Sequence, residues 1–332
     1  MTIEENISLL GHNTFRMDVH TKVWAEYHSV DELQTLLQRY KGEPIMAIGA
    51  GSNLLFTKDY EGVLLHCGMR RARALEENAE YVDIEAEAGI VLDELIEQTV
   101  DMGLGGLENL SHIPGEVGAS AVQNVGAYGV EAKDVIVRVR TIEIATGKER
   151  VFEQEECKYA YRDSIFKNEL RGKYIVTHVV YRLQKHPELH LDYGNLKAQV
   201  EEPYTLRKVR EAVIRVRKQK LPEVTELGSA GSFFKNPFVS QAQYEALAAQ
   251  YSTIPHYAAG DKVKIPAAWL IEQCGLKGKT VGGAQVYEKQ PLVIVNRTGK
   301  AAPQDVVALA EEVCKSVQNE FGISIHPEVN YI

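Results

Sequence analysis

The sequence predicts an α+β protein. A strand–helix–strand opening gives way to a strand-rich region from Tyr81 to Leu183, without the regular alternation of a doubly wound sheet. From Thr205 onward helix and strand alternate again, as in a separate C-terminal α/β unit. At 332 residues the chain is too long for one small core, so two or three domains are expected.

Each element has a local reason. Ser29-Val-Asp-Glu32 is a capping box, and Leu33, Leu36, Leu37 and Tyr40 follow on one helical stripe. Ile45–Ile48 reads as a buried strand that ends in Gly49-Ala-Gly-Ser-Asn53. Such a turn suits an anion, because glycines admit close approach and successive N–H groups can converge on phosphate. Alone it fits a tight hairpin turn equally well. It is not a dinucleotide fingerprint, because Leu54, Leu55 and Phe56 continue as apolar chain and no amphipathic helix follows. Val63–Leu65 and Tyr81–Ala88 read as strands, and a helix over Val91–Met102 stops at Gly103. Strands resume at Val135–Val139, Thr141–Ile144 and Tyr174–Leu183. A helix over Thr205–Lys220 turns Leu206, Val209, Ala212, Val213 and Val216 inward, with Arg207, Lys208, Arg210, Arg215, Arg217, Lys218 and Lys220 on its remaining faces. Helices beginning near Ser240 and at Pro266, a strand at Leu292–Asn296 and a helix over Pro303–Phe321 complete the chain, with His326-Pro-Glu328-Val in a terminal strand.

Gly103–Gly129 stands out. Seven of the 26 glycines lie here, interleaved with Asn109, Ser111, Ser120, Gln123 and Asn124. The pattern suits backbone laid against a polar, partly buried ligand, and also an ordinary glycine-rich loop. Composition narrows the choice. Lys and Arg total 37 against 46 Asp and Glu, a net charge of -9 that argues against polynucleotide binding. Cys67, Cys157, Cys274 and Cys314 are too scattered for a disulfide framework or a zinc site, so no metal is expected. Neither a signal peptide nor an apolar run of membrane-spanning length is evident, and a cytoplasmic location is expected.

Three constellations could carry chemistry: Tyr161-Arg-Asp-Ser-Ile-Phe-Lys167, Gly228-Ser-Ala-Gly-Ser232-Phe-Phe-Lys-Asn236-Pro, and Pro327-Glu328-Val329. Each has an ordinary reading: Arg162 in a structural ion pair, Ser232 as a turn residue, Glu328 as a surface acid. Taken with Gly49–Asn53, Leu107-Glu-Asn-Leu110, Ile113-Pro-Gly115 and Gln123-Asn-Val-Gly-Ala-Tyr-Gly129, they resemble, nearly end to end, the UDP-N-acetylenolpyruvoylglucosamine reductase family. The Tyr-Arg-Asp-Ser form and Asp192-Tyr193-Gly194 resemble its type I branch, in which a tyrosine loop closes over substrate.

The resemblance implies an FAD-binding fold of the vanillyl-alcohol-oxidase type in two lobes, 1–68 and 69–204, then a substrate-binding domain over 205–320 and a terminal strand over 321–332. It implies noncovalent FAD, with NADPH as hydride donor and a UDP-sugar as substrate, in a monomer of peptidoglycan precursor synthesis. The pyrophosphate would lie against Gly49, Ala50, Gly51, Ser52, Asn53 and Leu54. The rest of the cofactor would lie against Asn109, Ile113, Pro114, Gly115, Gly118, Ala119, Ser120, Gln123, Asn124, Gly126, Ala127 and Tyr128. Arg162, Ser232 and Glu328 match the catalytic positions: carboxylate clamp, proton donor to C2, and polariser of the developing enolate. Tyr161, Tyr193, Arg217, Lys220, Asn236 and Gln290 would contact substrate. Glu116 and Ala119 depart from the family's pattern, which often has a small residue and a second glycine there.

Overall fold

The computed structural model describes residues 1–332. The chain divides into two compact units, Met1–Ile7 with Thr21–Ala50 and Glu61–Gln219, and Ser8–His20 with Gly51–Tyr60 and Lys220–Ile332. The expected segments followed chain order, whereas both units draw on separated stretches. Residues 206–219 fall in the first unit because Val209, Ala212 and Val213 pack with Leu191, Leu196 and Val200.

The first unit holds two sheets. One has the order Thr2–Ser8, His20–Tyr27, Tyr60–Cys67, Ile45–Ile48, its last pair parallel with Ile48 opposite His66. Helix α1 (Val30–Arg39) joins His20–Tyr27 to Ile45–Ile48. Ser29 Oγ accepts from Glu32 N at 3.1 Å, but the Glu32 carboxylate accepts from His28 N at 2.7 Å, so the expected capping box is only half made. The other sheet is antiparallel, in the order Glu149–Glu153, Ile136–Glu143, Tyr174–Gln184, Tyr81–Glu87, Ala72–Glu77. Helix α2 (Leu92–Asp101) contributes Leu92, Leu95 and Ile96 to a core continuous with both sheets.

Two sequence expectations change here. The glycine-rich stretch contains a short helix, α3 (Val117–Gln123), whose Ser120 hydroxyl lies 2.8 Å from Tyr181 OH. In α4 (Leu206–Lys220), Arg210 is buried rather than solvated, and its guanidinium pairs with Asp93 of α2.

In the second unit, Gly228–Ser232, Val293–Asn296, Ala284–Val286 and Thr280–Val281 form an antiparallel sheet. A three-stranded sheet, α5 (Gln241–Gln250), α6 (Ala267–Gln273) and α7 (Pro303–Phe321) complete it. Helix α7 begins with proline at its first position and ends on Gly322 in the left-handed region, φ 64°. Its Val306, Leu309, Ala310, Val313 and Val317 are buried. Glu328 does not lie in a regular strand: the terminal strand is only Asn330–Tyr331, pairing in parallel with Leu54–Leu55.

Candidate active site

Both units carry motif residues. In the first, the strand Ile45–Ile48 delivers Gly49, where a Cβ would lie 2.9 Å from Glu116 Oε2. A side chain here would press on the Glu116 carboxylate, which would have to give way. Ala50 follows and is exposed. In the second unit Gly51 has φ 61°, and a Cβ there would meet His12 O at 2.4 Å. Ser52 is half-buried, and Asn53 O accepts from Asn330 N at 3.0 Å while its Nδ2 donates to Glu328 O at 3.4 Å. Leu54 opposes Asn330. The predicted cofactor turn and the predicted catalytic glutamate are thus tied together by backbone and amide contacts.

The glycine-rich stretch spends most of its polar side chains on neighbouring segments of the first unit. Asn109 Nδ2 donates to Tyr128 O and His190 O, at 2.9 and 2.8 Å. Gln123 Oε1 accepts from Lys167 Nζ at 2.6 Å, and Asn124 spans Ala160 O and Lys133 N at 2.8 and 3.0 Å. Ser120 is used on Tyr181, and Gly118 packs so closely on Ala88 that a Cβ would come within 2.9 Å. Gly115 O accepts from Leu92 N at 3.0 Å. Ile113 packs against the core, Pro114 and Ala119 are exposed, and Ala127 lies in a short strand with Gly126.

Two features suit a tightly held ligand. Asn109 Oδ1 is buried and has no hydrogen-bond partner, a cost that a ligand donor would relieve. His112, Asn124, Tyr128 and Arg162 all have positive φ, 61°, 46°, 49° and 55°, and strained backbone of this kind gathers at ligand clamps.

Arg162 is held by that backbone. Its Nη1 donates to Asn124 O at 3.4 Å and its Nη2 to Gly126 O, with Glu131 Oε1 3.7 Å away. A Cβ on Gly126 would sit 2.7 Å from Arg162 Nη1, so this glycine makes room for the guanidinium. Lys167 Nζ donates to Arg162 O at 2.9 Å, and the Tyr161 ring lies 5.2 Å from the guanidinium carbon. Tyr193 is exposed and stands edge-on to Tyr128, ring centres 6.4 Å apart. Burial pushes the Tyr128 phenol above its ordinary value, with Arg217 acting the other way.

Arg217 belongs to a network that the sequence did not single out. Its Nε donates to His112 O at 3.1 Å, while His112 N donates to Asp93 Oδ1 at 2.6 Å. Arg210 forks onto Asp93. Burial disfavours the Asp93 carboxylate, but Arg210 and the His112 N–H outweigh it and hold its pKa below the ordinary 3.8. Arg210, Val213 and Arg217 lie three and four residues apart, one helix face, and that spacing was the available signal. Lys220, at the end of α4, is exposed.

In the second unit, Ser232 ends its strand, exposed, after Gly231 at φ 67°. Glu328 N donates to Phe233 O at 2.7 Å, and Lys235 N to His326 O at 3.0 Å, so the Ser232 and Glu328 segments run side by side. Asn236 Oδ1 accepts from Ala267 N at 2.9 Å, capping the start of α6. Gln290 Oε1 meets Leu292 N at 3.4 Å.

Known proteins bear directly on this arrangement. The family model described as UDP-N-acetylenolpyruvoylglucosamine reductase, C-terminal domain, matches residues 222–332, and the model described as FAD binding domain matches 21–153. A UDP-N-acetylenolpyruvoylglucosamine reductase of Bacteroides fragilis is 50% identical over 99% of this chain and 100% of its own length. That of Flavobacterium johnsoniae is 41% identical over 100% of both. The solved structure of the Thermus caldophilus enzyme has a TM-score of 0.71 at 24% identity, covering 100% of this chain and 99% of its own, and shows the shared fold. The chain belongs to the UDP-N-acetylenolpyruvoylglucosamine reductase family of FAD-dependent oxidoreductases.

Proposed function

We propose that this protein reduces the enolpyruvyl ether of UDP-N-acetylglucosamine enolpyruvate to the lactyl ether of UDP-N-acetylmuramate, a cytoplasmic step of peptidoglycan precursor synthesis, acting as a monomer. Noncovalently bound FAD, recharged by NADPH, would supply hydride to C3 of the enolpyruvyl group. The chain's residues manage the charge and the proton. Arg162 would hold the substrate carboxylate, because its guanidinium is fixed by Asn124 O and Gly126 O and a planar fork matches a carboxylate. Negative charge then develops at C2 and over that carboxylate, where Arg162 and Glu328 would stabilise it. Ser232 would deliver the proton to C2, a centre basic enough to accept it from a hydroxyl. Arg217 and Lys220 supply positive charge for the diphosphate, Tyr193 would cover the bound substrate, and Tyr161, Asn236 and Gln290 would contact it.

The observation that supports this reading is the bond from Glu328 N to Phe233 O at 2.7 Å, which runs the segment of the proposed acid alongside the segment of the proposed proton donor. The test is product analysis. With NADPH and the enolpyruvyl substrate, each NADPH consumed should yield one product heavier by one hydride and one proton. NADPH oxidation that requires oxygen and leaves the sugar nucleotide unchanged would show an oxidase instead.

A further inference from the structure

A trio in the first unit, with His66 and Glu116 buried and Glu26 half-buried, has no part in the chemistry above. His66 is 9% exposed and sits opposite Ile48, the residue that leads into Gly49. Its Nδ1 lies 2.7 Å from Glu26 Oε2 and its Nε2 lies 3.0 Å from Glu116 Oε1. Glu116 is 6% exposed, and its second oxygen, Oε2, occupies the space beside Gly49. Trp24 stacks on the imidazole, ring centres 5.4 Å apart. No cluster in the protein is arranged to hold a metal, so the trio is a hydrogen-bonded chain.

The geometry fixes the protonation logic. A carboxylate only accepts, so an imidazole between two carboxylates bonds to both only when both ring nitrogens carry protons. Burial lowers the His66 pKa, but Glu116 and Glu26 outweigh burial and raise it. The other titratable groups around it are His28, 3.3 Å from Glu26 Oε1, and the buried Tyr27 and Cys67, both raised by burial and by Glu116. Losing the His66 proton leaves two carboxylates facing a neutral ring, with the charge of Glu116 uncompensated against the Gly49 turn.

We infer that Glu26, His66 and Glu116 are positioning residues for the cofactor turn, holding FAD tightly while His66 is protonated and more weakly once it is not. This rests on the reading that the FAD pyrophosphate meets the turn at Gly49. The sign follows from charge: an anionic pyrophosphate favours the imidazolium, so FAD raises the His66 pKa and proton loss weakens FAD. Glu116, a departure from the family's usual small residue, is what makes the turn depend on His66.

The experiment titrates apoprotein with FAD, following flavin fluorescence from pH 6 to pH 9 (about the range an imidazole of raised pKa spans). In the wild type the FAD dissociation constant should rise about tenfold across that range, equivalent to a one-unit difference in His66 pKa between apo and loaded protein. NMR of the His66 ring in both forms should show that difference directly. Glu116→Gln should flatten the profile, and His66→Gln should bind weakly at every pH. A flat wild-type profile with an unmoved His66 resonance overturns the inference without any variant having to fold. Ala50→Asp keeps the two readings apart, since it puts an exposed negative charge on the same turn. If Ala50→Asp leaves FAD affinity unchanged, the cofactor does not meet this turn. If it weakens FAD while the wild type stays insensitive to pH, the turn binds FAD and the relay is wrong.

Discussion

Arg162 and Ser232 carry similar sequence signals, short motifs rich in hydroxyl, aromatic and cationic groups, yet the protein holds them in opposite ways. Arg162 has a left-handed backbone, a guanidinium pinned by two carbonyls, and a lysine on its own carbonyl. Ser232 is an exposed residue at a strand end, fixed through the backbone of its neighbour Phe233. A clamp on a carboxylate must keep its direction, and rigidity is what fixed donors contribute. A proton donor needs only reach and the right moment. Perturbing the surroundings should therefore damage Arg162's role far more than Ser232's.

The largest effect should come from Arg162 itself. Arg162→Ala is expected to lower kcat/KM for the enolpyruvyl substrate about 10³-fold, the upper range for losing one charge-stabilising donor group. Arg162→Lys should recover little, because an ammonium lacks the fork. Steady-state kinetics with the sugar nucleotide checks both, and a nearly full recovery by lysine would remove the bidentate clamp from the account.

Next comes Gly126→Ala, at a residue expected beside the cofactor and packed against Arg162. The added methyl would lie 2.7 Å from Arg162 Nη1 and 2.9 Å from Val130 O, so the guanidinium must move. A loss of about 10–100-fold in kcat/KM is expected, the scale of an ångström-sized misplacement. Gly231 offers the control, because nothing lies within 4 Å of a Cβ there although its φ is 67°. Gly231→Ala should cost activity less than Gly126→Ala, and the reverse order would contradict the contrast.

The Asp93 network predicts a pH effect on stability. Asp93's folded pKa is depressed, so its contribution is present above the ordinary 3.8 and is lost as pH falls through the folded value. Thermal unfolding should show wild type more stable than Asp93→Asn near neutral pH, by about 1–3 kcal/mol for a partly buried charged pair. The gap should close in acid, and a gap that is constant with pH would rule out the charged pair as its source. Smallest of all, Tyr193→Phe should raise KM for the sugar nucleotide a few-fold and leave flavin reduction by NADPH unchanged.

Legibility followed the range of the interactions. Helix α7 could be read residue by residue, because Pro303, the apolar stripe and Gly322 are all local signals. Helix α3 could not, since Val-Gly-Ala-Ser-Ala-Val-Gln has little polar contrast and is held by Ala88, Ile90 and Tyr181 from outside. The strands Thr2–Ser8 and Ala72–Glu77 were missed because neither buries an alternating face. At the site, the motif residues were legible from the family resemblance. Arg210 and His66 were not: their partners Asp93 and Glu116 lie 117 and 50 residues away, and only the fold brings them together. The glycines were legible as a group, but the reason for Gly49 and Gly126 lay in Glu116 and Arg162.

Ser232 is proposed to act only after hydride has reached the substrate, and anaerobic stopped-flow absorbance of the flavin in Ser232→Ala tests this most directly. Reduction by NADPH should proceed at the wild-type rate. Reoxidation by the enolpyruvyl substrate should slow at least ~10²-fold, the lower end of what a positioned general acid contributes, with Ser232→Cys recovering part of it. A variant slowed only in the NADPH step, or in neither step, would return Ser232 to the role of a turn residue.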